Sequence, residues 1–210
     1  MDASGKKSYH HGDLKPVLLR AAETELANTG LESFSLRRVA KLAGVTPAAP
    51  AHHFGNTDGL LTALAVLGFE RMLSLQKDRQ LLTPTDPEAK FVASGIAYVD
   101  FAVAHPTLFQ LMFNSQKLNE TDDMLNVAHL SAYQHLVSNV RDLNNTGTRN
   151  QADVMVDAMA AWVTVHGLAS LISVGKTNRL SALEAIAGTD RNTLLTRIIL
   201  NSIGSADHPT

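Results

Sequence analysis

Apolar residues return along this chain at the spacing of a helix, and no convincing strand alternation appears. Leu14, Val17, Leu18, Ala21, Ala22 and Leu26 share one helical face, with Glu25 the polar member of the stripe. Asp13 is a suitable N-cap, and Pro16 falls in the first turn, where its missing N–H costs little. Gly30 stands where a left-handed residue ends a helix. Ser35 caps a short second helix, Leu36 to Leu42, with Val39, Ala40 and Leu42 as its buried face. Gly44 breaks it, and Thr46 caps a third short helix with Pro47 at its first position. Asn56 or Thr57 caps a longer fourth helix, with Leu61, Leu64, Ala65, Gly68, Met72 and Leu75 on one face.

Two prolines make residues 82–87 a loop. Helix is expected from Glu88 to Ala104, interrupted by His105-Pro106 and resumed through Leu108, Phe109, Met112 and Phe113. Residues 114–120 read as a polar loop, and further helices span Thr121 to Leu143, Gln151 to Val174 and Asp190 to Ile203. The fold class is all-α, with no internal repeat. The run from Ala158 to Val174 is nearly continuous apolar sequence but holds Thr164, His166, Ser170 and Ser173. It falls short of the ~20 residues a membrane span needs, so it is expected to be a buried helix.

Residues 35–54, SLRRVAKLAGVTPAAPAHHF, carry the chemistry. Two short capped helices joined by Ala43-Gly44-Val45 form a helix-turn-helix. Ala40 is small enough for the helices to cross closely, Gly44 takes the turn, Val45 plugs the corner, and Phe54 closes a small core with Phe34. Such a unit offers the start of its second helix, Thr46 to His52, to a DNA major groove.

Composition narrows the classes. The chain has 210 residues, 45% hydrophobic and only 18% charged, which suits packed helices rather than a disordered chain. It has no cysteine, so disulfide frameworks, thiolate zinc sites and cysteine nucleophiles are excluded. The N-terminus shows no secretory signal, and a cytoplasmic location is expected. The net charge of −2 excludes a uniformly basic nucleic-acid coat. It is also uneven: residues 1–57 carry seven Lys/Arg against five Asp/Glu, and residues 58–210 eleven against fifteen. Arg37, Arg38 and Lys41 have no acidic residue near them in sequence, between positions 33 and 57.

The opening Tyr9 to Leu14 (YHHGDL) and the run from Ser35 through Val39-Ala40 and Ala43-Gly44-Val45-Thr46 to His53-Phe54 and Leu60-Leu61 resemble the tetracycline-repressor-like (TetR) family of bacterial regulators. Tyr98 to Ala102, His105-Pro106, Leu108 to Phe113, and Trp162 with His166-Gly167 resemble a subgroup whose C-terminal domain is marked by Trp, His and Gly. The resemblance implies a three-helix DNA-binding head, residues 1–57, and a larger ligand-binding and dimerisation body, residues 58–210. It implies a homodimer through the last two helices, usually a repressor that an effector releases from its operator. Many members have tyrosine at the position of Ala51 and lysine near Thr57 or Asp58, and this chain has neither.

The expected DNA-facing residues are Lys6, Lys7, His10, Arg37, Thr46, Pro47, Ala48, Ala51 and His52. Arg37 suits guanine or phosphate. Arg38 and Lys41 are expected at the edge or facing solvent, His53 inward, and Pro50 to remove the first internal hydrogen bond of its helix. The expected lining for a mainly apolar effector is Tyr98, Phe101, Phe109, Met112, Phe113, Met159, Trp162 and His166. Trp162 and His166 lie at i, i+4, on one face of one helix. No catalytic residue, metal or cofactor is expected, since no histidine lies three residues after a glutamate. The alternatives are a helical-bundle enzyme or metal protein, and a family member acting through protein partners.

Overall fold

The computed structural model describes residues 14–114, 116–143, 150–173, 184–185 and 188–203. Asp13, Lys6, Lys7, His10 and the expected loop at 144–147 lie outside them. Among the described residues the chain forms nine α-helices and no strand. They are α1 (Leu14–Thr29), α2 (Leu36–Leu42), α3 (Ala49–Phe54), α4 (Thr57–Leu81), α5 (Pro87–Ala104), α6 (Pro106–Asn114), α7 (Asp123–Leu143), α8 (Gln151–Ser173) and α9 (Arg191–Asn201).

The first helices pack as the apolar spacing requires. α1 buries Leu18, Ala21, Ala22, Glu25 and Leu26 on one face. The α2–α3 corner turns at Gly44, whose φ of +67° is a left-handed conformation that a side chain would oppose. Asn56 caps α4, its Oδ1 accepting from the Gly59 N–H at 2.9 Å.

Three expectations need correction. α3 starts at Ala49, two residues later than the sequence suggests. Thr46 to Ala49 form a turn instead, closed by the Ala49 N–H on the Thr46 carbonyl at 3.0 Å, and Ala48 is the N-cap. Pro50 therefore falls in the first turn, where its missing N–H would have had no intrahelical partner, and it is buried. Leu42 is 51% exposed, because Ala43 takes the inward position after Val39 and Ala40. Ser35 has the extended backbone of a cap but makes no side-chain cap bond.

α4 runs from the helix-turn-helix into the rest of the chain. It packs on α1 and α3 at one end and on α5, α6 and α7 further along. α5 sits centrally, against α4, α6, α7, α8 and α9. Its Gly95 lets the outer helices come close: a Cβ there would stand 2.9 Å from Ile199 Cδ1 and 3.3 Å from Val165 Cγ1. On α9, Leu195 and Ile199 are thereby fully buried, while Leu194 and Ile198 are half-buried.

α8 is not the fully buried helix its composition suggested. By length and composition it is apolar enough to cross a membrane, with mean hydropathy 1.5, but 28% of that stretch is buried. Val154, Ala158, Ala161, Val165, Ala169 and Ile172 face inward. Val156, Met159, Val163 and Leu171 face outward. Met124, Val127 and Leu130 of α7, the helix packed beside it, are also exposed.

Candidate DNA-facing surface and ligand cavity

The helix-turn-helix presents Arg37, Lys41, Thr46, Pro47, Ala48, Ala51 and His52 as exposed residues. His53 and Phe54 are half-buried, with His53 edge-on to His52 at 5.5 Å. Arg38 has a different task from its neighbours. Its Nε lies 2.5 Å from Oε1 of Glu25, which is only 3% exposed, and its guanidinium also donates to the Ser33 carbonyl. The polar member of the α1 stripe is thus neutralised from α2. The acid missing from positions 33–57 comes from across the fold.

α1 also carries a link towards the rest of the chain. Glu23 bonds Arg71 of α4 at 2.6 Å and approaches His105, between α5 and α6, at 3.6 Å.

A cavity of about 390 Å³ lies between α4, α5, α6, α7, α8 and α9. That volume is within the range of small-molecule sites. Of the eight expected lining residues, Tyr98, Met112, Phe113 and Trp162 reach it. The other four do not. Phe101 is 2% exposed and packs on His105 with ring centroids 5.0 Å apart. Phe109 is equally buried and supports the wall from behind, edge-on to Tyr98 at 5.6 Å. Met159 is 47% exposed on the outer face of α8, since it lies one position beyond the inward Ala158. His166 stands behind Tyr98, its Nδ1 2.9 Å from the phenol oxygen.

That last contact joins two neutral groups. Burial raises the Tyr98 pKa, with a smaller opposing effect from a Trp162 hydrogen bond, so the phenol keeps its proton. Burial lowers the His166 pKa, so the ring is neutral at pH 7. The phenol and the neutral ring thus share one hydrogen bond, with the His166 tautomer setting which of them donates. The pair fixes the tilt of the Tyr98 ring at the cavity wall.

Sequence reading missed the polar wall and the whole contribution of α7. Gln76 and Ser94 line the cavity from α4 and α5. His129, Ala132, Leu136 and Asn139 line it from α7, at the i, i+3, i+7, i+10 spacing that was the available signal. The His129 ring stands edge-on to Phe69 at 4.4 Å, and its pKa is lowered by burial against the opposing charge of Glu120. Among the described residues, no group of three or more His, Asp or Glu is placed to hold a metal ion.

Comparison with known proteins bears on both regions. Residues 18–64 match the family model described as bacterial regulatory proteins, tetR family. Residues 91–190 match the model described as tetracyclin repressor-like, C-terminal domain. Among solved structures, the chain is similar to a protein of unknown function from Rhodococcus sp. RHA1, at 30% identity and TM-score 0.77, covering 94% of this chain and 97% of that one. It shares its fold with the fatty acid degradation regulator FadR from Bacillus halodurans, at 18% identity and TM-score 0.64, covering 97% and 100%. The same holds for the TetR-family regulator PfmR from Thermus thermophilus, at 14% identity and TM-score 0.63, covering 91% and 99%. No curated protein sequence matches the chain.

Proposed function

The chain belongs to the TetR family of DNA-binding transcriptional regulators, and from that premise we propose that it is a homodimeric repressor released from its operator by a small effector in the α4–α9 cavity. The observation that carries this reading is the course of α4. One end packs on α3 of the helix-turn-helix, and Phe69, Met72 and Gln76 further along line the cavity. An occupant that displaces α4 moves the DNA-facing helix directly. The Glu23 link to Arg71 and His105 makes α1 follow α4. The head takes in the helices before residue 57 and the body those after it, with α4 as the connection.

On DNA, Arg37 and Lys41 hold phosphates or a guanine edge, Thr46 and the Ala48 and Ala51 face meet the groove, and His52 supplies a side-chain donor. Lys6, Lys7 and His10 add an N-terminal arm. Since Arg38 is engaged by Glu25, the positive charge left for DNA on the helix-turn-helix is smaller than the sequence suggests. Binding is then salt-sensitive but shallow in slope. A gel shift against the intergenic DNA upstream of the coding region should show specific retardation. Arg37→Ala should weaken it and reduce the salt slope by about one. If neither that DNA nor a genomic selection gives specific binding, the reading is wrong.

The dimer seam follows from the outward face of α8. The partner copy meets Val156, Met159 and Val163 of α8, with Val127 and Leu130 of α7 beside them and the half-buried Leu194 and Ile198 of α9 as the contribution of the last helix. An apolar face of this kind, on a chain whose family forms homodimers, is best covered by its own copy. Val163→Glu, at a position already 61% exposed in the protomer, should leave helicity unchanged and convert the dimer to monomer in light scattering. A dimer that persists would place the seam elsewhere. Binding chromosomal DNA puts the protein in the cytoplasm.

A further inference from the structure

The wall that sequence reading missed says what kind of molecule the cavity takes. Gln76 Nε2 donates to Ser94 Oγ at 3.0 Å and to the Ser94 carbonyl at 3.3 Å. Asn139 Nδ2 donates to the same Oγ at 3.4 Å. Gln80 Nε2 donates to Asn139 Oδ1 at 3.0 Å, which orients that amide so that its nitrogen faces Ser94. Two helices, α4 and α7, thus converge on one serine of α5 that is 4% exposed.

The arrangement leaves a remainder. Ser94 Oγ accepts from two amides, so its own hydrogen has no acceptor among the described residues. Gln76 Oε1 likewise has no donor among them. Both residues line the cavity. One donor and one acceptor therefore stand side by side in a mainly apolar lining, and a group that leaves them unpaired loses their hydrogen bonds.

Charge points the same way. Among the described residues, no lysine or arginine lines the cavity. Its one carboxylate, Glu120, is exposed at the rim. The histidine nearest to it, His129, is kept neutral at pH 7 by burial. An anionic head group entering here would pass a like charge and then be desolvated without a cation to meet it, which is strongly unfavourable. The remaining walls include Phe69, Tyr98, Phe113 and Trp162, which suit a compact ring system.

We propose that the cavity selects an uncharged aromatic or cyclic amphiphile bearing an amide-like donor–acceptor group, bound at Ser94 and Gln76, and rejects the matching carboxylate. This rests on the cavity being the effector site. The similarity in fold to a regulator of fatty acid degradation carries no ligand over to this chain.

The chain has a single tryptophan, and it lines the cavity, so its fluorescence reports occupancy without DNA. Two matched pairs serve as probes at pH 7.5: 2-naphthamide against 2-naphthoate, and 4-phenylbenzamide against 4-phenylbenzoate. At least one amide should change Trp162 emission saturably, about tenfold or more tighter than its carboxylate. Ser94→Ala should weaken the amide about tenfold and leave the carboxylate unchanged. Glu120→Gln, at an exposed position, should improve carboxylate binding a few-fold and leave the amide unchanged. A carboxylate that binds as well as its amide overturns the proposal but leaves the effector cavity standing. An amide unaffected by a folded Ser94→Ala overturns it equally. If no probe changes emission or raises Tm, the cavity reading falls and the proposal with it. Should Ser94→Ala fail to fold, the amide–carboxylate comparison on the unaltered chain decides alone.

Discussion

Phe101→Ala should lower the unfolding free energy by about 3–5 kcal/mol, the cost of truncating a fully buried aromatic ring, and leave amide binding in the cavity essentially intact. Phe101 is the largest of the fully enclosed side chains and sits on α5, which packs against five other helices. Its ring leans on His105, where the chain turns from α5 into α6, so truncation also loosens that corner. The neighbouring aromatic residues behave differently. Phe113 is half-buried, lines the cavity, and touches Phe69 and Tyr98 at 5.1 and 6.2 Å. Phe113→Ala should cost less stability and change the fluorescence titration. Denaturant unfolding and Trp162 titration on both variants separate the two roles. A Phe101→Ala protein as stable as the parent would mean that the ring is not in the core.

This pair shows where sequence reading stops. Helical periodicity finds the faces that are buried, and the faces it found on α1 and α4 are largely inward. It cannot say whether an inward aromatic meets another side chain or an empty volume, because that depends on helices distant in sequence. Phe101 and Phe113 carry the same chemistry, but Phe101 is enclosed at the turn from α5 into α6 and Phe113 opens onto the cavity. Local rules did better where the cause is local. Gly44 was legible because a left-handed turn needs glycine, and the cap of α4 was narrowed to Asn56 or Thr57, which both have a side-chain acceptor, of which Asn56 is the cap. The start of α3 was misread because two prolines close together allow two placements of the first turn, and burial of Pro50 chose between them. The Ser94 group was missed because its partners come from α4 and α7, and a serine on an apolar helix has no signature of its own.

Arg37 and Arg38 are adjacent and identical in type, and they should fail in opposite ways. Glu25 is 3% exposed, and apart from Arg38 its carboxylate accepts from the Thr29 hydroxyl at 3.2 Å. Arg38→Ala removes the cation that faces this buried charge. Breaking a fully buried pair costs about 3–5 kcal/mol. The Arg38 side chain is 48% exposed, so solvent screens the pair and about 1–3 kcal/mol is expected. Replacing both partners, Glu25→Leu with Arg38→Met, should recover most of that loss, since the two apolar chains fill similar space without a charge to desolvate. Arg37→Ala should leave the denaturation midpoint unchanged, because its side chain is exposed, and should still weaken operator binding. The two effects are separable in one set of measurements. Denaturant midpoints fall for Arg38→Ala and recover in the double variant, while gel shifts at a temperature where every variant is folded fall for Arg37→Ala. A double variant no more stable than Arg38→Ala would mean that Arg38 acts through its bond to the Ser33 carbonyl, and not through Glu25.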